Sequence, residues 1–434
     1  MVNDESVRCE GLVGSPYLAV AVGDCLRRAR AGRRQYRGCS VAHAIQMPMN
    51  DCAQTPPLSS NLGRVLIVTS FVLPHVGGIE EFVAFTTEDL RAAGWDVRVL
   101  SSSLPNRELA QADVIIPTIH AFHSGHPIPY RGWTRLWREI GRADLVVANQ
   151  RRNLLPVLAA LFASVRRRPV VFVIHGSPGV RIPQPAWFRA AAEIFDRTLG
   201  RWALKRSVVV TLSESGRYFD SGRNRFEMRY VPFPIRIQPP VEPKTLHVDE
   251  TVRAIWAGRL YPQKDPELAV RAVEIARRRR DITLDVYGDG ILKHELLQLA
   301  RDRPWLVLHG GRSWSEIQEL QSHAHLCLLS SRAEATCLTA LEPLSRGVPV
   351  IGTDVGDIAR HLGAELARFA APADDAEALG GALLDLCDHY DEVAPLFAKN
   401  GERLVWLHRD CSSGMAALAV ELAGAARRKS ARSG

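Results

Sequence analysis

Several features are missing from this chain, and each absence removes a class of function. No apolar run reaches about 18 residues, so no membrane-spanning helix is expected. The longest apolar stretch, residues 154–165, is shorter and is followed by Arg166-Arg167-Arg168, as in a buried helix with a basic C-terminal end. The eight cysteines form no C-x-x-C pair and follow no secretory signal, so reduced thiols in a cytoplasmic protein are expected. Four of them (Cys9, Cys25, Cys39, Cys52) are spaced too widely and irregularly for a zinc site, and the His323-x-His325 pair lacks a third ligand nearby. No metal site is therefore assigned. A P-loop lysine signature is absent, and so is a full G-x-G-x-x-G, which argues against phosphoryl transfer from ATP and against a nicotinamide dinucleotide. Neither aromatic platforms nor a recognition helix accompany the positive charge, so nucleic acid is not an expected partner.

What remains is a globular composition, 46% hydrophobic and 24% charged, over 434 residues, enough for two or three domains. The net charge of +8 suits phosphorylated substrates or an anionic membrane face. Lysine is scarce beside arginine, the pattern of a GC-rich genome, so the arginine total says little by itself.

Residues 1–60 lack clear periodicity and are expected to be a poorly ordered extension, with Met47 or Met49 as alternative starts. From Arg64 the pattern is regular. A β-branched run at 65–68, a Gly-containing loop, an amphipathic stretch at 79–93 and a second apolar run at 96–100 read as strand, loop, helix, strand. The unit repeats with strands near 113–116, 145–147, 170–174 and 208–210, and helices near 133–140, 154–165 and 185–206. Five prolines between Val231 and Lys244 mark a stiff linker. A second series follows, with strands at 252–256, 283–287, 306–308 and 348–351 and helices at 266–278, 292–301, 314–323, 377–388 and 398–426. Alternating strands and helices predict an α/β fold of two parallel-sheet, Rossmann-like domains facing a cleft, where ligands bind at strand C-terminal edges. The expected divisions are residues 61–235, 236–395, and a helical end at 396–434 that crosses back to the first domain.

One stretch, Leu326 to Asp357, organises the chemistry. It runs from a strand through a polar loop into a helix at Leu338 that stops at Gly347. A helix N-terminus beside a strand end offers amides and a positive dipole to an anion. Glu334 lies before that end and Glu342 one turn inside it. Arg259 and Lys264, five apart across a Pro-containing turn after the strand at 252–256, can converge on one anion. Gly288-Asp289-Gly290 and Gly77-Gly78 are turns that let backbone approach a ligand. His175 ends the strand at 170–174 and points into the cleft, where it can donate to a hydroxyl or a phosphate oxygen. His120, His123 and His126 fall in a segment read as a solvated loop. Together these groups fit a nucleotide diphosphate-sugar. Arg259 and Lys264 would neutralise the pyrophosphate, and Thr336, Cys337, Leu338 and Thr339 would add loop and helix-end contacts. One Glu would hold the ribose and the other the sugar.

These residues carry a resemblance to glycosyltransferase family 4, retaining enzymes of the GT-B fold. The family's Glu, seven residues, Glu signature is matched by Glu334 and Glu342, and its G-R-x4-K element by Gly258, Arg259 and Lys264. The G-D-G turn, the GVPVIGTDVGD segment, the Gly77-Gly78-Ile79-Glu80 helix start and the strand-end His175 are similar as well. The resemblance implies transfer of a hexose from a UDP- or GDP-sugar to a saccharide or lipid-linked acceptor, with no metal and no cofactor. It also implies that the second domain binds the donor and the first the acceptor. Glu334 would contact the donor sugar, Glu342 the ribose, and Arg259 and Lys264 the leaving diphosphate. A basic first domain would allow peripheral contact with an anionic membrane, Arg131, Arg135, Arg138, Trp133 and Trp137 being the candidates. The alternative is a catalytically silent sugar-nucleotide-binding partner protein. Three departures stand out: Ala335 replaces the usual Gly, Val231-Pro232-Phe233-Pro234 replaces an Asn-Gly turn, and Asn149-Gln150 stands where a histidine is frequent. Alanine at 335 is acceptable at negative φ and strained at positive φ.

Overall fold

The computed structural model describes residues 62–72, 78–103, 112–121, 126–175, 186–214, 228–236, 238–247, 249–409 and 412–433. The N-terminal extension and Gly77 lie outside them.

The first part of the chain builds β1 (Arg64–Val68), α1 (Gly78–Ala92), β2 (Asp96–Ser102), β3 (Val114–Ile116), β4 (Thr118–Ala121), β5 (His126–Pro129), α2 (Trp133–Arg142) and β6 (Leu145–Asn149). It continues with α3 (Leu154–Val165), β7 (Val170–Ile174), α4 (Ala186–Phe195), a π-helical turn (Asp196–Gly200), α5 (Arg201–Lys205), β8 (Val208–Thr211) and β9 (Met228–Tyr230). The second part builds β10 (Val252–Ala257), α6 (Pro266–Ala276), β11 (Ile282–Tyr287), α7 (Lys293–Ala300), β12 (Leu306–Gly310), α8 (Trp314–His323), β13 (Leu326–Leu329), α9 (Leu338–Ser345) and β14 (Val350–Thr353). After these come α10 (Ile358–Leu362), β15 (Ala370–Ala371), α11 (Ala376–Asp388), α12 (Tyr390–Arg409) and α13 (Ser412–Ser433).

Two parallel sheets result. The first runs β3-β2-β1-β6-β7-β8-β9 and the second β12-β11-β10-β13-β14-β15. Both reverse direction of growth at one place, between β1 and β6 and between β10 and β13. In open α/β sheets such a switch point leaves a crevice beyond the strand ends, because the adjoining loops lead to opposite faces. Strands β1, β6 and β7 are buried on both faces, which is why they read as unbroken apolar runs. Leu66 and Val68 pack under α2 and α3, whereas Val65 and Ile67 face α1 and α13.

The proline-rich linker carries no regular structure from 231 to 236. Its end is tied to the second domain by Val241 N–H to the Arg346 carbonyl (2.7 Å) and by Lys244 Nζ to the carbonyls of Ser322 and Ala324 (2.5 and 2.6 Å). The single C-terminal helix expected at 398–426 is two helices. Phe397 of α12 sits in the second core, and Met415 and Leu418 of α13 sit in the first. One straight helix would not serve both cores. The helix expected at 185–206 is likewise interrupted by the π turn. The predicted loop around His120 and His126 is in part a hairpin, β4 pairing antiparallel with β5, while His123 falls outside the described residues. The strand expected at 348–351 begins at Val350, because Val348 N–H still closes the end of α9 on the Pro343 carbonyl. Among the described residues, no helix is long and apolar enough to cross a membrane.

Leu418 is 4% exposed and belongs to the first domain's core although it lies near the chain's end. Leu418→Ala should cost about 2–4 kcal/mol, read as a lowered midpoint in chemical denaturation. An unchanged midpoint would mean that α13 is not an integral part of that core.

Candidate active site

The two elements that flank the second switch point deliver the site. The loop after β10 is bound to the loop after β13 along its length. Arg332 N–H donates to the Gln263 carbonyl (2.8 Å), Gln263 Nε2 to the Ala333 carbonyl (3.0 Å), and Ser330 Oγ to the Lys264 carbonyl (3.0 Å). This lacing brings Lys264 Nζ to 2.5 Å from Glu334 Oε1. Ser331 Oγ donates to the same oxygen at 2.6 Å. Both groups are largely buried, with side-chain exposures of 17% and 9%. Burial alone would lower the Lys264 pKa, but the Glu334 carboxylate outweighs it and holds the ammonium above the usual lysine range. Arg259 is exposed nearby, its guanidinium 5.7 Å from the Tyr261 ring centroid.

Gly288 and Gly290 serve this lacing. At φ +148°, a Cβ on Gly288 would meet the Gly258 carbonyl oxygen, and at φ +158° one on Gly290 would lie 2.4 Å from that of Leu260. The close approach expected from the sequence is thus made by the neighbouring loop, which Gly258 N–H and Leu260 N–H fasten to Tyr287 and Asp289 (3.0 and 2.9 Å).

Cys337 is the N-cap of α9 with φ 53° and ψ 75°, a left-handed turn that redirects the chain into the helix. Its thiol is buried and burial pushes it up to about 12, so it is not a nucleophile at neutral pH. The first amides of α9, at Leu338 and Thr339, open off this turn. Leu338 itself packs against both hydrophobic cores and touches Gly78, where a Cβ would lie 3.3 Å from its Cδ1. Thr336 Oγ1 donates to the Leu212 carbonyl at 2.9 Å, across the two domains, so its hydroxyl is engaged in joining them. Ala335 is not among the residues of positive φ. The positive φ falls instead on Gly356, whose Cβ would lie 2.2 Å from the Ala335 carbonyl oxygen.

Glu342 is held from α8. Trp314 Nε1 donates to Oε1 (2.9 Å) and Gln318 Nε2 to Oε2 (2.7 Å). Burial raises the carboxyl to about 7 against those two bonds, and Glu81 of α1 adds to the rise. Arg236 of the linker spans the domains here. Its guanidinium lies 5.2 Å from the Phe85 ring centroid, 5.5 Å from that of Trp314, and 3.9 Å from Glu81. None of Trp314, Gln318, Ser331 and Arg236 stood out in the sequence. Trp314 and Gln318 are four apart on a predicted helix, but nothing local says which residue that face meets.

On the first domain, the ends of neighbouring strands β1, β6 and β7 form one polar chain. Asn149 Nδ2 donates to Thr69 Oγ1 (3.3 Å), and His175 Nε2–H donates to Asn149 Oδ1. Burial lowers the His175 pKa to about 3, so the ring is neutral. With Nε2 donating to Asn149, Nδ1 is an acceptor, which reverses the donor role expected from the sequence. The Asn149 departure thus has a structural use. Ser70, Ser101 and Ser102, at the ends of β1 and β2, carry buried hydroxyls with no protein partner among the described residues.

Sequence profiles of two families match this chain: one described as Glycosyltransferase Family 4 over residues 76–218, and one described as Glycosyl transferases group 1 over residues 251–389. Among curated proteins, the chain is 23% identical over 343 residues to a component of the phosphatidylinositol N-acetylglucosaminyltransferase of Arabidopsis thaliana, covering 72% of each. It is 24% identical to the GDP-mannose-dependent alpha-mannosyltransferase of Mycolicibacterium smegmatis, over 68% of this chain and 80% of that one. Among solved structures, it superposes on sucrose-phosphate synthase from Thermosynechococcus elongatus with a TM-score of 0.64 at 19% identity, covering 84% of this chain and all of the other. Anabaena HepE in complex with UDP and glucose gives 0.62 at 16% identity, over 82% of this chain and 100% of that one.

The raised Glu342 pKa fixes a pH dependence. Below about pH 4.5 the carboxyl is neutral in folded and unfolded chains; between 4.5 and about 7 only the unfolded chain ionises, so stability falls as pH rises. Glu342→Gln should remove that slope, worth at most about 3 kcal/mol, in thermal denaturation followed from pH 5 to 8. A slope that survives the substitution would assign it to another group.

Proposed function

The chain belongs to the family 4-like glycosyltransferases of the GT-B fold, and on that premise we propose that it moves a hexose from a UDP- or GDP-sugar to a saccharide or lipid-linked acceptor with retention of configuration. The observation that carries this reading is the Lys264–Glu334–Ser331 array beside the amide end of α9. Both protein donors fall on Oε1 of Glu334, so Oε2 is the oxygen that takes a hydroxyl of the sugar. Lys264 and Arg259 neutralise the diphosphate as the bond from the anomeric carbon to the phosphate oxygen breaks. The dipole and amides of α9 add to them. Electrostatic stabilisation of that developing charge is the largest contribution expected, because the groups are fixed before reaction and partly desolvated. The leaving phosphate oxygen accepts the acceptor hydroxyl's proton on the same face. Glu342, pinned by Trp314 and Gln318, takes the ribose hydroxyls. A wet ligand edge in place of an apolar one favours its ionised form.

The first domain takes the acceptor. Its strand ends carry neutral His175 and the buried hydroxyls of Ser70, Ser101 and Ser102, which have no protein partner among the described residues, a set of hydrogen-bonding groups without charge. Such a set suits a saccharide. Relatives include a GDP-mannose-dependent alpha-mannosyltransferase and a phosphatidylinositol N-acetylglucosaminyltransferase, which supports surface glycan or glycolipid synthesis as the setting.

Release of nucleoside diphosphate from UDP- and GDP-sugars, with and without acceptor sugars, tests the reading. Lys264→Ala and Glu334→Gln should each lower kcat by about 10²–10³-fold. Removing one member of a buried pair also destabilises the fold, so the double variant Lys264→Met/Glu334→Leu serves as a control. It should retain stability and lose turnover. No thermal stabilisation by any sugar nucleotide would sink the donor site. Binding without turnover on any acceptor would favour the silent binding protein. The anomer formed, read by NMR, decides retention.

A further inference from the structure

Arg236 stands where the two domains meet, directly after Val231-Pro232-Phe233-Pro234, the segment that replaces an Asn-Gly turn. Two aromatic rings share its guanidinium: Phe85 of α1 at 5.2 Å and Trp314 of α8 at 5.5 Å. Glu81, one turn before Phe85 on the same face of α1, pairs with it at 3.9 Å. Trp314 in turn donates its Nε1–H to Glu342 Oε1 at 2.9 Å. Side chains from α1, the linker, α8 and α9 thus form one line of contacts across the domains.

Stability explains this line poorly. The Arg236 side chain is 43% exposed and its ion pair is long, an arrangement that contributes little to a fold. An uncharged side chain of similar length would fill the same space between the rings. The charge has a clearer use at Glu342. Burial is the main reason that carboxyl is raised to about 7; of the neighbouring charges, Glu81 adds to the rise and Arg236 opposes it. Among the described residues, these are the charged groups that face Glu342 from other elements. Trp314 and Gln318 of α8 are neutral donors, and Glu80 and Glu88 act on Glu81. Arg346, one turn further along α9, is engaged with the carbonyls of Gln318 and Pro239 (2.6 and 3.2 Å). A cation over the indole face also polarises the ring N–H that grips Oε1.

We propose that Arg236 is a positioning residue of the donor site, tying Glu81 of the first domain to the indole that grips Glu342, so that both domains set the charge of the ribose carboxylate. This rests on the reading of Glu342 as the group that takes the ribose. Ribose hydroxyls donate best to an ionised carboxylate, so a donor that binds to a protonated Glu342 drives its proton into solvent.

Calorimetric titration of the full chain with UDP-glucose and GDP-mannose, repeated in buffers of different ionisation enthalpy, counts that proton. Both probes carry diesterified phosphates, which do not titrate near neutral pH. The wild type should release about half a proton per ligand at about pH 7, and Glu342→Gln none. Arg236→Gln should release more and Glu81→Gln less, opposite shifts from two adjacent side chains. Arg236→Lys keeps the charge and a ring contact, and should recover most of the wild-type count. The affinity lost in Arg236→Gln should be about two-fold or more at about pH 6 and should narrow toward none by about pH 8.5. The sign follows from linkage: a raised carboxyl penalises binding below its pKa, and above it both proteins are ionised. A residue that only packs would leave a gap constant with pH. Unchanged denaturation midpoints should show that the variants fold. Equal proton counts in the wild type, Arg236→Gln and Glu81→Gln, or an affinity gap indifferent to pH, would overturn this proposal and leave the donor reading standing. No binding of either probe by the wild type would overturn both.

Discussion

The buried pair between Lys264 and Glu334 is the contact on which the rest of the site depends. Taking both charges out of water costs several kcal/mol each, and their mutual attraction seldom more than offsets it. An apolar pair of the same size would serve the fold as well. The chain instead surrounds the pair with bonds that only make sense if its position matters. Ser331 fixes the shared oxygen, and three hydrogen bonds lace the loop after β10 to the loop after β13. Gly288 and Gly290 let a third loop press against the first. The switch point between β10 and β13 supplies the crevice, and the lacing turns a flexible loop into a rigid wall.

The same wall also joins the domains. Thr336 bonds to Leu212, Glu214 N–H to Asp357 (3.0 Å), and Leu338 packs on both cores. These contacts come from the segment that holds Glu334 and Cys337. Arg236 repeats the arrangement at Glu342, stacked between Phe85 of the first domain and Trp314 of the second. Both carboxylates are therefore positioned by groups that feel the separation of the domains. A change in that separation acts on the two carboxylates directly.

Much of this was legible in the sequence, for definable reasons. Doubly buried strands and amphipathic helices write their periods into local composition, so α3 and α8 fall where the pattern puts them. The Glu334–Glu342 stretch was legible because strand, turn and helix follow one another without a gap. What could not be read were contacts made at long separation. Nothing near Trp314 points to Glu342, and nothing in a proline-rich linker singles out Arg236. The break between α12 and α13 escaped because both helices are amphipathic and the core each one serves is a tertiary fact. A packing role of Gly288 escaped for the same reason: a neighbour that needs its missing side chain is a loop thirty residues earlier.

Ala335 shows how a departure at the most sensitive position can be harmless. The strain that a side chain there would cause depends on φ, and the positive φ of this turn sits at Gly356, on the opposing segment. Gly356 approaches so closely that a Cβ would lie 2.2 Å from the Ala335 carbonyl, while Asp357 N–H bonds to that carbonyl at 2.9 Å. The backbone beside Glu334 is thus held through its carbonyl oxygen, an atom every residue has. A methyl group at 335 leaves that grip intact. The requirement for glycine belongs to the partner strand of the turn, and there the chain has kept it.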